Sequence, residues 1–413
     1  MGKSLEDLKN DHGVVSQSKR IWMAIVLGSL SAFGPLSIDM YLPALPNLAK
    51  DFHTSPTLVQ LSLTSILLGL AFGQLITGPI SDVGGRRKPL LIGLIIYFVV
   101  SLLCVFSPTI GVLITLRFIQ GLAGSAGIVI SRAIVRDLYS GHELTKFFAM
   151  LALVNGVAPI LAPVVGAQLL KIVPWQGVFI ILSLIGLVMF FVVLFGLPET
   201  LHDDRRSAGG IKNTFITFRN LILDRSFIGY ALVQGLVFSA MFAYISGSPF
   251  VVQNIYGASA QMFSLIFAIN GIGIMIASQA TGRLAGRIHE SKLLVFGLCM
   301  SFIGGIILLI LLLVHADLIF ILLPLFFVVS SVGVVNTAGF SLSMQKQKKS
   351  AGSASALLGV LSLAFGAIVA PLVGIGGGHS AIPMGIVIVF AGSGAVFTYL
   401  FLVPRKQFQK ITR

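Results

Sequence analysis

The sequence predicts an all-α integral membrane protein: twelve transmembrane helices in two pseudo-symmetric bundles of six. Three observations carry this. Of the 413 residues, 56% are hydrophobic and only 10% are charged, far below the roughly 25% charged content of soluble domains. Apolar windows of about 20 residues, the length that crosses a hydrocarbon core, recur along the whole chain. The positive charge is also sorted: 25 of the 28 Lys and Arg fall in tails and loops that share one side of a twelve-span chain. Lys50 and Lys171 fall on the other side, and Arg117 lies within a span.

Residues 1–20 form a polar tail with acids among its cations, and no small-residue cleavage site follows, so the first span is expected to remain as a signal anchor. The spans of the first bundle (21–198) are expected near 21–45, 57–80, 89–107, 109–131, 145–170 and 176–197. Those of the second bundle (226–403) are expected near 226–250, 260–282, 293–314, 318–342, 351–374 and 381–403. Residues 199–225, with LHDDRRSAGGIKN, read as a polar, partly flexible linker, and 404–413 as a basic tail. An even number of spans puts both termini on one side, and the positive-inside rule makes that side cytoplasmic.

One half echoes the other. GPISDVGGRRKPLL from Gly78 is matched 204 residues later by GRLAGRIHESKLL from Gly282, and Ala162-Pro163-x-x-Gly166 is matched by Ala370-Pro371-x-x-Gly374. Two matches at nearly one offset indicate an internal duplication, the construction of carriers that alternate access around a central site.

Asp39 and Arg117 are the charged side chains expected well inside the hydrocarbon, where such groups are costly and mark function. Asp39 lies six residues before Leu45 and Arg117 six residues after Gly111, so at 1.5 Å per residue both are expected about 9 Å below the outer rim. Equal depth makes an electrostatic partnership feasible. A conformational change that varies its separation or hydration would let Asp39 bind and release a proton; the bland alternative is a static ion pair that fixes helix packing.

The segment Gly78-x-x-x-Asp82-x-x-Gly85-Arg86-Arg87-Lys88 follows the second span. Its glycines allow a tight turn, its cations suit an anionic leaflet, and Asp82 could sit at a neighbouring helix N-terminus. In the fourth span Arg117, Gln120, Gly121 and Gly124 share a face, with the glycines allowing close helix approach. The fifth span carries Gly156, Pro159, Pro163 and Gly166, the signature of a kinked helix at a moving interface. In the seventh, Tyr230, Gln234, Phe238, Met241, Tyr244 and Ser248 align at helical spacing, a stripe suited to amphipathic molecules or simply to packing. Asn155, Asn270 and Asn336 are lone amides that bond neighbouring helices or face a pocket.

Other classes fare worse. The seven histidines lie in loops or at span ends without metal-ligand spacing, and no Ser/His/Asp set shares a face, which weakens a membrane enzyme acting on lipid. Cys104 and Cys299 lie in apolar segments and read as structural thiols. Charge placed by topology gives no reason for a nucleic-acid partner. A proton-coupled importer of a small metabolite stays open beside an exporter, and a structural or receptor subunit gives no reason for interior charges.

SIDMYLPALP (Ser37 to Pro46), GPISDVGGRRKPLL, RFIQG (Arg117 to Gly121) and MFAYISGSPFV (Met241 to Val251) together resemble the Bcr/CflA branch of the twelve-span drug:proton antiporters of the major facilitator superfamily. The resemblance covers nearly all spans. It implies a major facilitator fold, rocker-switch exchange, and export of drugs such as bicyclomycin, sulfonamides or phenicols. The chain itself is expected to work as a monomer in a bacterial cytoplasmic membrane, driven by the proton gradient without a cofactor. By that resemblance Asp39 is the proton-coupling acid, Arg117 tunes it, and Asp82 with Arg86 locks the inward-closed state. The fifth span would then be the antiporter helix. From the residues themselves, Tyr41, Gln120, Asn155, Gln234, Phe238, Met241 and Tyr244 are candidates for the cargo pocket. Departures are Val83 in place of a basic residue, Ala162 and Ala167 in place of glycines, and Ser31 where some relatives have a second acid. A single interior acid suggests one proton per cycle.

Overall fold

Prolines divide the first span. In the computed structural model, which describes residues 17–201, 206, 210–345, 347 and 351–403, the chain runs through α1 (Gln17–Ser31), α2 (Phe33–Asp39), a 3₁₀ turn (Leu42–Ala44) and α3 (Leu45–Asp51). The bend is 43°. Pro35 has no N–H for the Ser31 carbonyl, and Pro43 has none for that of Asp39, so helix pairing fails at those two points. The span therefore reaches Asp51 rather than ending at Leu45. Residues 1–16, 202–205, 207–209 and 404–413, from the expected tails and linker, lie outside the described residues.

The remaining helices are α4 (Pro56–Gly84), α5 (Arg87–Val105), α6 (Ile110–Leu138), α7 (Gly141–Leu169), α8 (Gln176–Gly196), α9 (Gly210–Leu223), α10 (Arg225–Phe250), α11 (Ala260–Leu284), α12 (Glu290–Leu313), α13 (Leu318–Met344), α14 (Ala351–Val373) and α15 (Ile382–Leu402). Among the described residues eleven helices are long and apolar enough to cross a membrane, and the bent first span, taken as one, makes twelve. Among the described residues there is no β-strand. Side-chain caps start several helices by accepting a backbone N–H: Ser55 for α4, Thr109 for α6, Asp224 for α10 and Ser259 for α11, each satisfying a donor that the first turn leaves unpaired.

Two boundaries differ from expectation in ways that matter. The α6 helix continues seven residues past 131, which takes Arg132 and Arg136 out of the loop and into the helix. The linker is not simply a flexible polar chain: α9 lies within it and buries Phe218 and Leu221 against Phe227 and Ala231 of α10 and Ala354, Leu357 and Leu358 of α14.

The duplication is visible in the packing. A Cβ on Gly69 would meet the Phe118 carbonyl and one on Gly121 the Ile66 carbonyl, so α4 and α6 cross backbone to backbone. In the second half α11 and α13 do the same, where a Cβ on Gly333 would meet the Ile274 carbonyl and one on Gly273 the Ser330 hydroxyl. Small residues at a crossing permit this approach where lipid supplies no hydrophobic drive.

The bundles touch mainly through α4 with α14 and α7 with α11. Their polar seams cluster on the face opposite the start of α1 and the end of α15. Gln60 Nε2 donates to the Ser246 carbonyl (2.9 Å), Thr64 Oγ1 to that of Ala367 (2.9 Å), Gln253 Nε2 to that of Pro43 (3.3 Å) and Gln261 Nε2 to that of Ala167 (2.9 Å).

Candidate functional site: a polar-lined cavity between the bundles

With the bundles joined on one face, a cavity of about 700 Å³ remains between them, extending from Asp39 and Tyr244 toward Arg132, Phe340 and Ser355 near the helix ends of the terminal face. A larger groove of about 1130 Å³ between α1, α7 and α8 is almost wholly apolar and lies on the outer wall of the first bundle. The central cavity brings polar groups from both halves together.

Asp39 is the last residue of α2, 5% exposed, and lines this cavity. Among the described residues no hydrogen bond or ion pair reaches its carboxylate. Asn155, Gln234, Phe238, Met241 and Tyr244 line the cavity as the sequence suggests, as does Pro159. Asn155 donates to Ser31 Oγ (2.7 Å) and to the Leu151 carbonyl (2.8 Å), and Asn270 donates to Tyr244 Oη (2.9 Å). Asn270 and Asn336, read as lone amides, both face it, with Gln74, Thr337 and Ser362.

Arg117 is elsewhere. It is fully buried inside the first bundle, where Nη1 donates to Gln120 Oε1 (2.7 Å) and Nη2 to the Ser37 carbonyl (2.9 Å). Its guanidinium lies 4.6 Å from the centre of the Tyr41 ring and 5.6 Å from that of Phe179, so the charge is met by acceptors and aromatic faces rather than by an acid. Gln120 Nε2 passes the chain on to Ser101 Oγ (2.7 Å), and Ser37 Oγ meets Tyr97 Oη (2.6 Å). Tyr41 is fully buried beside them with its hydroxyl 3.0 Å from Ser62 Oγ. Tyr41 and Gln120 therefore leave the pocket set: both belong to the packing of the first bundle. The expected Asp39–Arg117 partnership is not formed, because residues two apart on a helix point about 200° apart. Ser37 and Tyr41 face the bundle interior; Asp39 faces the cavity.

The loop after α4 is a charge cluster. Gly85 turns the chain at φ +84°, a region open to glycine. Arg86 Nη1 donates to Asp82 Oδ1 (2.5 Å) and Ser81 Oγ (2.9 Å), and its Nε to Asp137 Oδ2 (2.8 Å) at the end of α6. The Asp82–Arg86 pair thus lies within the first bundle. Asp82 does not cap a helix N-terminus. Glu199, which belongs to none of the sequence motifs, does so for α5: its oxygens accept from the backbone N–H of Arg86 (2.8 Å) and Arg87 (3.0 Å). Burial raises the Glu199 carboxyl, but hydrogen bonds from the amides of Arg86, Leu201, Arg87 and Thr200 outweigh it and hold the group below its ordinary value. Arg87 Nη2 donates to the Leu194 carbonyl, which ties the loop to α8. Gly78 sits inside α4 in ordinary contact with Val129.

In α7 a Cβ on Gly166 would strike the Met40 carbonyl, beside Asp39, so glycine sets this contact; Gly156 faces Met275 of α11 across the bundle interface. Pro159 and Pro163 lie inside the helix.

Arg132 is a site residue that the sequence motifs do not pick out. It is exposed and lines the cavity, but hydropathy windows stop at the first charge and so assign it to a loop. The periodicity of α6 offered a signal, since Ile128 and Arg132 are four residues apart and both line the cavity.

Two matched helical bundles, joined on one face and enclosing a polar-lined cavity inside a membrane-spanning shell, define a membrane transporter. The chain belongs to the Major Facilitator Superfamily, whose family model matches residues 27–371. It is 46% identical over 369 residues, 89% of this chain and 92% of the relative, to the uncharacterized MFS-type transporter YdgK of Bacillus subtilis. It is 31% identical over 392 residues, 95% of this chain and 98% of the relative, to a bicyclomycin resistance protein homolog of Haemophilus influenzae. Among solved structures, a bacterial homolog of the human lysosomal transporter Spinster, inward-facing and unoccupied, matches with a TM-score of 0.74 at 14% identity, covering 94% of this chain and 97% of that one; at that identity the likeness concerns the fold.

Proposed function

We propose that the protein is a proton-coupled antiporter that exports drugs or other small amphipathic molecules across a bacterial cytoplasmic membrane. The observation that carries this is Asp39: a buried carboxylate facing the cavity, with no protein partner among the described residues. An uncompensated charge is costly where water is excluded and inexpensive where it enters, so alternating access moves a proton on and off this group. With both termini cytoplasmic, as the loop charges suggest, the cavity faces the cytoplasm and the seams of Gln60, Thr64, Gln253 and Gln261 close the outer face. The transporter then works as a monomer on the proton gradient without a cofactor. Export is favoured by the similarity to a bicyclomycin resistance protein homolog and by the Bcr/CflA-like motifs.

One proton entering for each neutral molecule leaving moves one charge inward and gains about 2.3 kcal/mol per 100 mV of membrane potential. A monovalent cation would exchange without net charge. The test is a drug-susceptibility and dye-efflux panel in a pump-deficient host, comparing the parent with Asp39→Asn. The variant is expected to reach the membrane at normal levels and to lose protection. Undiminished gradient-driven export by Asp39→Asn would defeat the proposal, and cargo accumulation by the parent would turn it into an importer.

A further inference from the structure

Arg132 stands on α6 six residues before the helix ends at Leu138. It is exposed and lines the same cavity as Asp39, which is the one acid along that lining among the described residues. No hydrogen bond or ion pair reaches its guanidinium among the described residues, since Glu143 is taken by Arg20, and Asp82 and Asp137 by Arg86. Arg136, one turn on, adds a like charge beside it.

Its level follows from the packing. A Cβ on Gly127 would meet the Leu30 backbone, so Arg132 lies beyond Leu30 toward the terminal face, whereas Asp39 lies nine residues the other way. At 1.5 Å per residue the two backbones are roughly 20 Å apart along the bundle. The cavity is therefore bipolar, with an acid at its closed end and a cation toward its mouth. Between them run the apolar and thioether surfaces of Phe238 and Met241. A guanidinium keeps its charge and offers a planar fork of donors that matches a carboxylate with two parallel bonds.

We propose that Arg132 is a specificity-determining residue that selects cargo carrying a carboxylate on an apolar body. The anion is held at the mouth by Arg132 while the body lies along the apolar wall toward Asp39. This rests on the cavity being the cargo site, and it adds a charge requirement that Asp39 alone does not impose.

Dansyl-leucine and its methyl ester differ in the carboxylate charge and little else. Binding of both to the purified full-length protein in lipid nanodiscs at pH 7.5 is read by dansyl fluorescence. The parent is expected to bind the acid more tightly than the ester. Arg132→Gln should raise the dissociation constant of the acid roughly ten- to a hundredfold, the scale of a lost charge-assisted pair, and leave the ester within twofold. Arg132→Lys should retain most of the preference. A parent without acid-over-ester preference, or an Arg132→Gln protein that weakens both probes equally, overturns the proposal; the second result makes Arg132 structural. Asp39→Asn separates the two readings: it should abolish gradient-driven uptake into inverted vesicles yet keep the acid preference. Continued uptake would defeat proton coupling at Asp39 and leave the selectivity assigned to Arg132 standing on its own binding data.

Discussion

Ser37 and Asp39 are two residues apart on α2, and the half-turn between them separates the packing of the first bundle from the cavity. On one side the Ser37 carbonyl, left open near the end of α2, is taken up by Arg117, a favourable place for a cation. On the other side Asp39 meets the cavity. Arg117→Met would leave Gln120 Oε1 and the Ser37 carbonyl buried without that donor, an expected cost of about 2–4 kcal/mol, read as a lower unfolding temperature in detergent. Asp39→Asn should leave that temperature nearly unchanged. An Arg117→Met protein of normal stability that fails only in proton coupling would return Arg117 to a role beside Asp39. The charged residues of both sites stand out in the sequence; the direction each side chain faces does not, because it depends on which neighbouring helix lies on which side.

At the scale of the element, local chemistry explains most of the boundaries. Pro35 and Pro43 mark the breaks of the first span, and Ser55, Thr109, Asp224 and Ser259 mark helix starts. The helix ends near charges are less legible, since α6 carries Arg132 and Arg136 on faces where they keep contact with water. Glu199 shows the same dependence on context: it follows α8 in the chain yet caps α5, more than a hundred residues earlier. Because its native carboxyl is held below the ordinary value, its stabilisation is fully present above the usual glutamate range and fades as pH falls through the lowered value. Glu199→Gln should therefore cost roughly 0.5–1 kcal/mol at neutral pH. In thermal unfolding across a pH series, the gap to the parent should narrow below about pH 4; a gap independent of pH would show that the charge is not what matters.

For the whole molecule, the seams of Gln60, Thr64, Gln253 and Gln261 between the bundles lie on the face opposite the start of α1 and the end of α15, and the cavity lies on the other side of them. In the proposed alternating-access cycle, rocking one bundle against the other would have to break these seams. With Cys104 and Cys299 replaced by Ser, the pair Gln60→Cys and Ser246→Cys, joined by a short bifunctional thiol reagent with a reducible spacer, should hold the cavity toward the terminal face. Transport should fall to background and recover on reduction, while dye still binds from that side. Full transport in the cross-linked protein would show that this face does not open. The charge sorting and the paired motifs made the two-bundle architecture readable in advance, but not which face is sealed, because hydrogen bonds such as Gln60 to Ser246 join residues 186 apart.

By itself the sequence made legible a twelve-span helical architecture, the paired motifs of its two halves, and an acid, Asp39, set within an apolar span. These follow from local hydropathy, proline chemistry and the cost of a buried charge, each of which acts within a helix or a loop. Only the tertiary structure decided that Arg117 belongs to the first bundle, that Arg132 belongs to the cavity and that Glu199 caps a distant helix. The reason is rotational: a helix presents every direction around its axis, and only the packing of its neighbours decides which of them is interior, which is lipid and which is the path of the cargo.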